Sequence, residues 1–250
     1  MNLELSLQDQ VCVVTGSARG IGKEIVLTLA RQGARVVINY RTSETAAQTV
    51  AEKIHALGRE CLTVQADVSR PEEAQRLIET AVQHWGRIDL LAHNAGPFAL
   101  KPLADTTIEE WHGLIAGNLH SAFYCAKFAL PRMREQGGGH LVFIGSIKAD
   151  SLRARHLACP YGIAKTGIVL LAKTLAREEG RHGIRANVIN PGAIAGGWAT
   201  EARRESLLKQ IPLGRLGTPA DIAGAVLFLH SPLGSYCNGA VINMDGGLWL

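Results

Sequence analysis

The sequence has few aromatic and few charged residues, and its cysteines are scattered. Aromatic residues make up 5% and charged residues 19% of the 250 residues, whereas 47% are hydrophobic. The cysteines are odd in number, widely spaced and never part of a Cys-x-x-Cys or a cysteine and histidine ligand pattern: Cys12, Cys61, Cys125, Cys159 and Cys237. This usage argues against a disulfide framework and against a metal site. We expect reduced, mostly buried thiols and no bound metal.

The chain also lacks a targeting segment, a membrane-spanning run and a cluster of like charge. Residues 1–10 are acidic and amphiphilic, without the basic start and apolar run of a signal peptide, and no apolar stretch is long enough to span a membrane. The formal net charge of +4 comes from 26 basic residues spread along the chain, whereas a nucleic-acid footprint needs clustered charge. We expect a cytoplasmic protein that binds small anionic ligands, with neither a membrane nor nucleic acid as a partner.

Seven short runs rich in β-branched residues alternate with amphipathic segments. The runs predict strands over residues 11–14, 35–39, 61–65, 90–93, 141–144, 186–189 and 240–244. Helices are predicted to begin near Ile21, Thr45, Pro71, Thr107, Ser121, Tyr161, Glu201 and Pro219. Ser69 and Glu72 have the spacing of a capping box at one of these starts. The alternation indicates an α/β protein whose parallel sheet is covered by helices on both faces. Because no linker, repeat or compositional break divides the chain, we expect one doubly wound domain over residues 1–250.

Residues 15–22 follow the first predicted strand, are rich in glycine and open the first predicted helix. Gly16 permits a tight turn, Gly20 lets a pyrophosphate approach the backbone, and Gly22 permits close packing of helix on strand. The free N–H groups of the helix N-terminus then face the phosphates. A glycine-rich turn without a ligand is the alternative, but the position directly after the first strand favours dinucleotide binding.

The end of the second predicted strand bears on the choice between NAD and NADP. Binding of unphosphorylated NAD commonly uses an acidic residue there, but the sequence reads Asn39-Tyr40-Arg41 and has no carboxylate before Glu44. Arg19 and Arg41 are placed to form charge-assisted contacts with a 2′-phosphate. We predict a preference for NADP(H), with NAD(H) as the second option; the alternative is that both arginines are simply solvated.

Tyr161 and Lys165 stand one helical turn apart, downstream of the glycine-rich turn. A cation within a few ångströms stabilises a phenolate and lowers the tyrosine pKa toward physiological values. Such a tyrosine can exchange a proton with a carbonyl oxygen. Because tyrosine and lysine at this spacing are also common surface neighbours, the functional interpretation depends on the other motifs.

Taken in order, the motifs resemble those of the short-chain dehydrogenase/reductase family over nearly the whole chain. The matching elements are the glycine-rich turn, Asp67-Val68, Asn94-Ala95-Gly96, Asn118, Ser146, Tyr161 with Lys165, Asn190-Pro191-Gly192 and Asp245-Gly246-Gly247. Within the family, residues 214–217, residues 219–223 and the C-terminal segment look most like the 3-oxoacyl-[acyl-carrier-protein] reductase branch. The resemblance implies a single-domain Rossmann-type doubly wound parallel sheet of about seven strands, with helices on both faces.

The resemblance also implies a role for each matching position. In the catalytic set, Tyr161 would exchange the proton and Ser146 would hydrogen-bond the substrate carbonyl. Lys165 would hold the nicotinamide ribose and lower the Tyr161 pKa, and Asn118 would anchor a water that links Lys165 to solvent. Asp67 and Val68 would contact the adenine. The full cofactor-binding set would be Gly16, Ser17, Arg19, Gly20, Ile21, Gly22, Asn39, Tyr40, Arg41, Asp67, Val68, Asn94, Ala95, Gly96, Tyr161, Lys165, Pro191, Gly192 and Ile194.

The segment from Ser146 to Tyr161 departs from the family pattern, because it is two residues longer than usual. It carries four basic side chains: Lys148, Arg153, Arg155 and His156. They face either solvent or an anionic group of the substrate, such as a phosphopantetheine, a coenzyme A phosphate or a carboxylate.

Two further positions differ from the family. After Pro191-Gly192, glycine stands where the family often has a threonine that contacts the nicotinamide, and Thr200 is a candidate substitute. Residues 193–211, with a Gly-Gly pair and Trp198, are predicted to form a substrate lid. His93 stands where the family frequently has asparagine, and we expect it to be a hydrogen-bonded core histidine.

These features predict an NADPH-dependent carbonyl reductase acting on a small-molecule substrate. One candidate substrate class is the 3-oxoacyl thioester, carried on acyl carrier protein or coenzyme A, as in fatty acid biosynthesis. An NAD(P)-dependent alcohol or sugar dehydrogenase is the second interpretation, and a pterin-type reductase is a more remote third. A non-catalytic dinucleotide sensor is disfavoured, because Ser146, Tyr161 and Lys165 are all present. The resemblance and the apolar faces of residues 121–132 and 161–176 predict a homotetramer or homodimer, in which Leu248-Trp249-Leu250 joins an interface.

Overall fold

The computed structural model describes residues 5–196 and 200–249, and its centre is a parallel sheet of seven strands. The strands are β1 Val11–Val14, β2 Arg35–Tyr40, β3 Cys61–Gln65, β4 Leu90–His93, β5 Gly139–Ile144, β6 Ile184–Pro191 and β7 Val241–Met244. Their order across the sheet is β3-β2-β1-β4-β5-β6-β7. Strands β1 to β3 extend the sheet in one direction, and β4 to β7 extend it in the other. The order of the strands therefore reverses between β1 and β4, and a crevice opens at the carboxyl ends of these two parallel strands. The predicted α/β fold with a doubly wound parallel sheet is confirmed.

The described residues form eight α-helices. They are α1 Gly20–Arg31, α2 Glu44–Ala56, α3 Pro71–Trp85, α4 Ile108–Ile115, α5 Ser121–Glu135, α6 Cys159–Glu179, α7 Glu201–Leu208 and α8 Pro219–His230. A π-helical turn, Ala116–His120, joins α4 to α5. Each helix begins within two residues of its predicted start.

The alternating direction of side chains along the strands divides the core into two clusters. Cys12 and Val14 of β1 pack with α1, α2 and α8 on one face of the sheet. Val11 and Val13 pack with α3, α5 and α6 on the other. Both faces are therefore covered, which is why the strand is continuously apolar. A third, small cluster contains Ala193, Leu207 and Ile211.

Strands β5 and β6 each begin two residues before their predicted starts, because polar side chains interrupt the apolar pattern there. His140 is buried and accepts a hydrogen bond of 2.9 Å from Nδ2 of Asn187 at its Nε2 atom. Arg185 donates from Nη1 to the carbonyl oxygens of Gly234 (2.8 Å) and Cys237 (3.1 Å). Because these polar groups have hydrogen-bond partners inside the fold, the two strands can begin before the apolar runs that predicted them.

The start of α3 at Pro71 is confirmed, but the predicted capping box is wrong. Arg70 is the N-cap residue and makes no side-chain cap hydrogen bond. The Ser69 hydroxyl instead donates to Oδ1 of Asp67 (2.7 Å). Proline at the first helical position needs no hydrogen bond from its nitrogen, which permits this start without a capping side chain.

All five cysteines are free thiols, as predicted, although only Cys12 and Cys125 are fully buried. Among the described residues, no helix combines the length and apolar character needed to cross a membrane.

Candidate active site

The glycine-rich turn lies between β1 and α1, at the carboxyl edge of the sheet. Gly16 and Gly20 have positive φ angles of 61° and 57°, a region that other residues rarely adopt. A Cβ atom at Gly22 would lie 2.5 Å from the carbonyl oxygen of Gly16 and 2.6 Å from Nδ2 of Asn94. At Gly20 a Cβ would meet nothing within 4 Å, so the space before the helix N-terminus is open. This arrangement fits a pyrophosphate on the N–H groups of α1.

Asn39 and Ser17 brace this turn from inside the fold. Oδ1 of Asn39 accepts a hydrogen bond from the Gly16 N–H (3.0 Å), and its Nδ2 donates to the Ala66 carbonyl (3.0 Å). The Ser17 hydroxyl donates to the Val14 carbonyl (2.8 Å) and accepts from the Asn39 N–H (3.0 Å). Both side chains were predicted to bind cofactor, but both are buried and engaged with the backbone. They shape the turn that would hold a dinucleotide.

Thr15 and Asn94 join the same turn to β4. Thr15 Oγ1 accepts hydrogen bonds from the N–H groups of Asn94 and Ala95, both at 3.0 Å. Asn94 Nδ2 donates in turn to the carbonyls of Thr15 (3.2 Å) and Gly16 (3.1 Å). Thr15 was not predicted as a site residue, since a threonine at a strand end is ordinary in sequence.

Arg41 and Asp67 face each other across a groove at the carboxyl ends of β2 and β3. Nη1 of Arg41 lies 3.9 Å from Oδ2 of Asp67. The groove encloses about 510 Å³ and is lined by Arg41, Gln65, Asp67, Arg70, Glu73 and Arg76. Arg70 and Arg76 were missed because charges at the start of α3 look like a solvated helix face. Three guanidinium groups around one groove can bind an anion.

The other predicted residues at this end contribute less through their side chains. Tyr40 and Val68 are buried in the two core clusters, and Ile21 packs against the first of them. Any contact of Tyr40 or Val68 with a ligand therefore involves the backbone. Arg19, the N-cap residue of α1, is exposed and forms no ion pair within the described part of the chain.

Ser146, Tyr161 and Lys165 come together where β5 ends and α6 begins. Tyr161 lies in the first turn of α6 and Lys165 in the next. Lys165 is buried and donates from Nζ to the carbonyl oxygen of Ile144 (2.7 Å). Its Nζ atom is 5.7 Å from the centre of the Tyr161 ring. The Ser146 hydroxyl donates to the Ile147 carbonyl (3.3 Å) and is near enough to Tyr161 to lower the pKa of the phenol, so the three predicted residues lie together at the crevice.

The direction of the Tyr161 pKa shift differs from the prediction. Burial raises the pKa of the phenol, while the hydrogen bond with Ser146 and the positive charge of Arg155 oppose this rise. Burial also lowers the pKa of Lys165 to about 8. Desolvation disfavours both charged forms, and the sequence alone does not show how deeply these groups are buried. Arg155 is thus a second cation beside Tyr161, in addition to Lys165, whose Nζ atom is 5.7 Å from the ring centre.

Asn118 lies in the π-helical turn between α4 and α5, a distortion that is frequent at functional sites. Its Nδ2 donates to the carbonyls of Leu114 and Pro97, both at 2.9 Å. Its Oδ1 is buried against Gly96, where a Cβ would overlap it, and has no hydrogen-bond partner within residues 5–196 and 200–249. The side chain therefore holds the loop after β4 against the helix pair, and the same contact explains the glycine at position 96.

His93 is a buried core histidine, as predicted. Its Nε2 atom lies 2.9 Å from the Ser121 hydroxyl. Burial lowers the pKa of His93 to about 3, with Lys165 acting in the same direction. The ring is neutral at physiological pH and takes no part in the proton exchange assigned to Tyr161.

Asn190 positions Ser146 from the neighbouring strand. Its Oδ1 accepts a hydrogen bond from the Ser146 N–H (3.2 Å), and its Nδ2 donates to Oδ1 of Asn243 (3.0 Å). Although Asn190 belongs to a motif of the resemblance, no role was predicted for it. The sequence signal for such a role is an asparagine within an otherwise apolar strand, and this side chain is fully buried in the structure.

The segment after β6 begins with tight backbone contacts. The Gly192 N–H donates to the Met244 carbonyl (3.0 Å), and a Cβ at Gly192 would lie 2.6 Å from the Asp245 Cα. The Pro191 carbonyl accepts from the Ile147 N–H (2.9 Å), and Ile194 forms an isolated bridge with Gly217.

The candidate substitute for the missing threonine has a different function. Oγ1 of Thr200 accepts from the Arg203 N–H (3.3 Å) and caps α7, so this hydroxyl is already used by the helix. Gly197 and Trp198 of the predicted lid lie outside the described residues.

Two aromatic contacts involve Tyr161 and the loop that precedes it. Phe98, in the loop after β4, packs edge-on against Tyr161 with ring centroids 4.9 Å apart, and this partner was missed. Nζ of Lys148 lies 3.0 Å from the centre of the Trp249 ring. Leu248 packs against the third hydrophobic cluster. Leu248 and Trp249, which were predicted to join an interface, thus have partners within the chain; Leu250 lies outside the described residues.

Comparisons with known proteins agree with this geometry. A family model described as enoyl-(acyl carrier protein) reductase matches residues 16–249. A 3-oxoacyl-[acyl-carrier-protein] reductase of Synechocystis sp. is 37% identical over 97% of this chain and 98% of its own length. An L-rhamnose 1-dehydrogenase (NAD(P)(+)) of Sphingomonas sp. is 34% identical over 98% of both chains. Among solved structures, the chain resembles a 7α-hydroxysteroid dehydrogenase complexed with NADH and 7-oxo glycochenodeoxycholic acid. The two are 32% identical and superpose with a TM-score of 0.93, over 99% of this chain and 97% of the other.

Fold and site together define a dinucleotide-dependent oxidoreductase of the α/β class. Within that class, the chain belongs to the short-chain dehydrogenase/reductase family and uses NAD(P)(H), as the sequence predicted.

Proposed function

We propose that this protein is an NADPH-dependent carbonyl reductase in which Tyr161 donates the proton. The observation that carries the proposal is the phenol itself. It lies beside Ser146, which lowers its pKa, and one turn from the buried Lys165, at the same sheet edge as the glycine-rich turn. A raised pKa keeps this phenol protonated at neutral pH, which suits an acid in reduction.

The reaction requires a hydride and a proton, and bound NADPH supplies the hydride to the carbonyl carbon. Negative charge then develops on the carbonyl oxygen. The Ser146 hydroxyl donates a hydrogen bond to this oxygen, and Tyr161 transfers its proton to it. Lys165, charged below a pH of about 8, would hold the ribose hydroxyls of the cofactor and would stabilise the phenolate that remains. Asn118 and Asn190 position the surrounding backbone.

The proposed preference for NADPH rests on the groove at β2 and β3. Three arginines line it, Arg41, Arg70 and Arg76, together with the carboxylates of Asp67 and Glu73. The end of β2 itself carries no carboxylate of the kind that commonly binds unphosphorylated NAD. We expect Arg19→Ala/Arg41→Ala to raise the KM for NADPH much more than that for NADH. Arg31→Ala is the matched control, because Arg31 is an exposed α1 arginine already paired with Glu24. Equal effects on the two cofactors would refute the preference.

Two substrate classes follow from the relatives. The 3-oxoacyl reductase at 37% identity favours a 3-oxoacyl thioester carried on acyl carrier protein or coenzyme A. Relatives named L-rhamnose 1-dehydrogenase, at 34% and 36% identity over 98% of this chain, favour sugar oxidation to a similar degree. The pterin-type reductase and the non-catalytic sensor have no comparable support.

The test is cofactor oxidation by the purified protein with a 3-oxoacyl thioester, simple diketones, sugar lactones and a pterin, and cofactor reduction with free sugars. We expect turnover that falls by at least about 10²-fold in Tyr161→Phe, as for loss of a general acid. Tyr124→Phe on α5 is the matched control and retains turnover. Turnover that survives Tyr161→Phe would overturn the assigned proton donor.

The assembly, the lid and the compartment are also part of this proposal. Phe123 of α5 and Ile163 and Leu170 of α6 expose apolar side chains, with Leu170 68% exposed, which supports a homotetramer or homodimer built on these helices. A monomer in light scattering would overturn it. Residues 193–211 are proposed to cover the substrate, and five free thiols suit a cytoplasmic location.

A further inference from the structure

The loop between Ser146 and Tyr161 has more positive than negative charge on its described side chains. Lys148, Arg153 and Arg155 form no ion pair with any described residue. The carboxylate of Asp150 accepts hydrogen bonds from Asn190 (3.5 Å) and Asn243 (3.3 Å). Burial lowers the pKa of Lys148, and the positive charges of Arg155 and Arg153 lower it further, so these cations repel one another. Burial also lowers the pKa of Arg155, and the carboxylate of Asp150 acts in the opposite sense, although the two form no ion pair.

Arg155 differs from the two other cations in where its side chain goes. Arg153 is exposed, with its guanidinium carbon 5.4 Å from the centre of the Trp249 ring. Arg155 turns inward onto α6, so that a Cβ at Gly162 would lie 2.5 Å from its Cγ. Gly162 directly follows Tyr161. The glycine therefore lets the arginine stem lie against the first turn of α6, beside the proposed proton donor.

The guanidinium of Arg155 has an unsatisfied donor. Its Nη2 atom is buried and has no hydrogen-bond partner among the described residues, and a buried donor without a partner is costly. Its charge reaches Tyr161, because it opposes the rise in the Tyr161 pKa. A cation held at the crevice with a spare N–H group is a binding element for an anion.

We propose that Arg155 binds a carboxylate that the substrate carries close to its reacting carbonyl, so that the substrates are small oxo acids. This inference rests on the proposed carbonyl reductase function and narrows its substrate class. The planar guanidinium matches a carboxylate in bidentate geometry. A neutral sugar leaves its charge unpaired. A phosphopantetheine thioester separates the reacting carbonyl from the phosphate by a long uncharged arm, whereas Arg155 lies against the turn that carries Tyr161.

The test compares kcat/KM for 2-oxo and 3-oxo acids with that for their methyl esters, with NADPH and with a ketone phosphate as a further arm. The ester keeps the carbonyl and the shape but removes the charge, so the acid-to-ester ratio isolates the contact. Any effect of Arg155 on the Tyr161 pKa changes both rates and cancels in the ratio. We expect the wild type to prefer the acid. Arg155→Met, which keeps the stem over Gly162, should lower the ratio by roughly 10- to 150-fold, the range for hydrogen bonds to a charged group.

Two variants complete the design. Arg155→Lys keeps the charge without the bidentate geometry and should recover part of the ratio. Arg153→Met removes a charge of the same sign from an exposed position of the same loop and should leave the ratio at the wild-type value. Equal ratios in wild type and Arg155→Met, with NADPH binding retained in the variant, would overturn the inference. So would a preference for the ketone phosphate over the acid.

A failure of the proposed reductase function is distinguishable from a failure of the carboxylate site. If the protein reduces no carbonyl compound, the reductase proposal is wrong. Calorimetry of oxo acid binding to the NADP⁺-loaded protein then tests the carboxylate site by itself. Binding that is lost in Arg155→Met but kept in Arg153→Met supports the carboxylate site. Absence of binding to the wild type rejects it.

Discussion

Lys165 donates a hydrogen bond of 2.7 Å from Nζ to the main-chain carbonyl oxygen of Ile144, the last residue of β5. This bond joins the second turn of α6 to the strand end that precedes Ser146. The direct partner of the ammonium is therefore a backbone oxygen. No carboxylate within the described residues forms an ion pair with it. A buried cation without a counter-ion loses its proton more readily, and the pKa of Lys165 is accordingly lowered to about 8.

We therefore expect a loss of reductase activity at alkaline pH that comes from Lys165. Below a pH of about 8 the ammonium is charged and stabilises the Tyr161 phenolate formed in reduction; above it, this charge is lost. The kcat/KM for NADPH should fall with rising pH through about 8, since this parameter reports groups of the free enzyme. Steady-state rates from pH 6 to 10 test this. Lys165→Met should be nearly inactive, whereas Lys173→Met, an exposed lysine of the same helix, should keep the wild-type profile. A flat wild-type profile up to pH 10 would contradict the assignment.

The sequence predicted most of the fold, and several residues of the predicted site lie together in the structure, because both depend on local chemistry. Glycines after a strand, and a phenol and an ammonium four residues apart, are visible without knowledge of the fold. The contacts that were missed are long-range. Asn190 braces Ser146 from 44 positions away, and Arg155 reaches Tyr161 only because the loop folds back over Gly162. The direction of the Tyr161 pKa shift depends on burial, which residue spacing does not show.

Gly22→Ala should weaken both the fold and the binding of the cofactor. The new Cβ would lie 2.5 Å from the Gly16 carbonyl oxygen and 2.6 Å from Nδ2 of Asn94, so α1 must move away from the turn. Overpacking of this kind costs about 1–3 kcal/mol, and the displaced helix N-terminus should raise the Kd for NADPH. Denaturant unfolding and fluorescence titration measure the two effects.

Gly224→Ala is the matched control for this glycine. Gly224 is exposed in the middle of α8, and a Cβ there meets nothing within 4 Å. Alanine should stabilise the helix by about 1 kcal/mol and leave the Kd unchanged. If Gly22→Ala bound NADPH as well as Gly224→Ala, the proposed role of the turn would be refuted.

The ring of His230 should make the protein sensitive to acid. It stacks on His140 with ring centroids 5.8 Å apart, and neither of its nitrogens has a hydrogen-bond partner in the described part of the chain. Burial lowers the pKa of His230 to about 4, with Asp89 opposing and Arg185 reinforcing the shift, and it also lowers the pKa of His140 well below its ordinary value. The unfolded chain takes up protons first as the pH falls below about 6.5. The free energy of unfolding should then decrease from pH 6.5 toward 4, by up to about 1.4 kcal/mol per pH unit for each histidine.

His230→Phe keeps the stacked ring and removes one of these protonation sites. We expect it to be at least as stable as the wild type at pH 7, because two unsatisfied buried nitrogens disappear, and to lose less stability between pH 6.5 and 4.5. Thermal melts across this range provide the comparison. Replacement of the exposed His112 by glutamine should leave the slope unaltered, and an unaltered slope in His230→Phe would argue against the mechanism.

Arg134 and Glu179 form a two-bonded ion pair between α5 and α6, with distances of 2.7 and 2.5 Å. The Glu179 side chain is only 4% exposed, whereas that of Arg134 is 48% exposed. Arg134→Met therefore leaves a buried carboxylate without its partner and should lower the free energy of unfolding by about 1.5–3 kcal/mol at pH 7. Arg31→Ala, which removes the exposed partner of Glu24, should cost no more than about 1 kcal/mol. Urea unfolding gives both values.

The pH dependence of this pair supplies its own control. Arg134 holds the pKa of Glu179 below its ordinary value, so the stabilisation by the pair is present at neutral pH and declines as the pH falls and the carboxylate takes up a proton. The difference between wild type and Arg134→Met should accordingly shrink toward pH 4. Adding Glu179→Gln to Arg134→Met should restore part of the stability, because the unpaired charge is gone. A double variant less stable than Arg134→Met alone would mean that Glu179 stabilises the fold through contacts other than this ion pair.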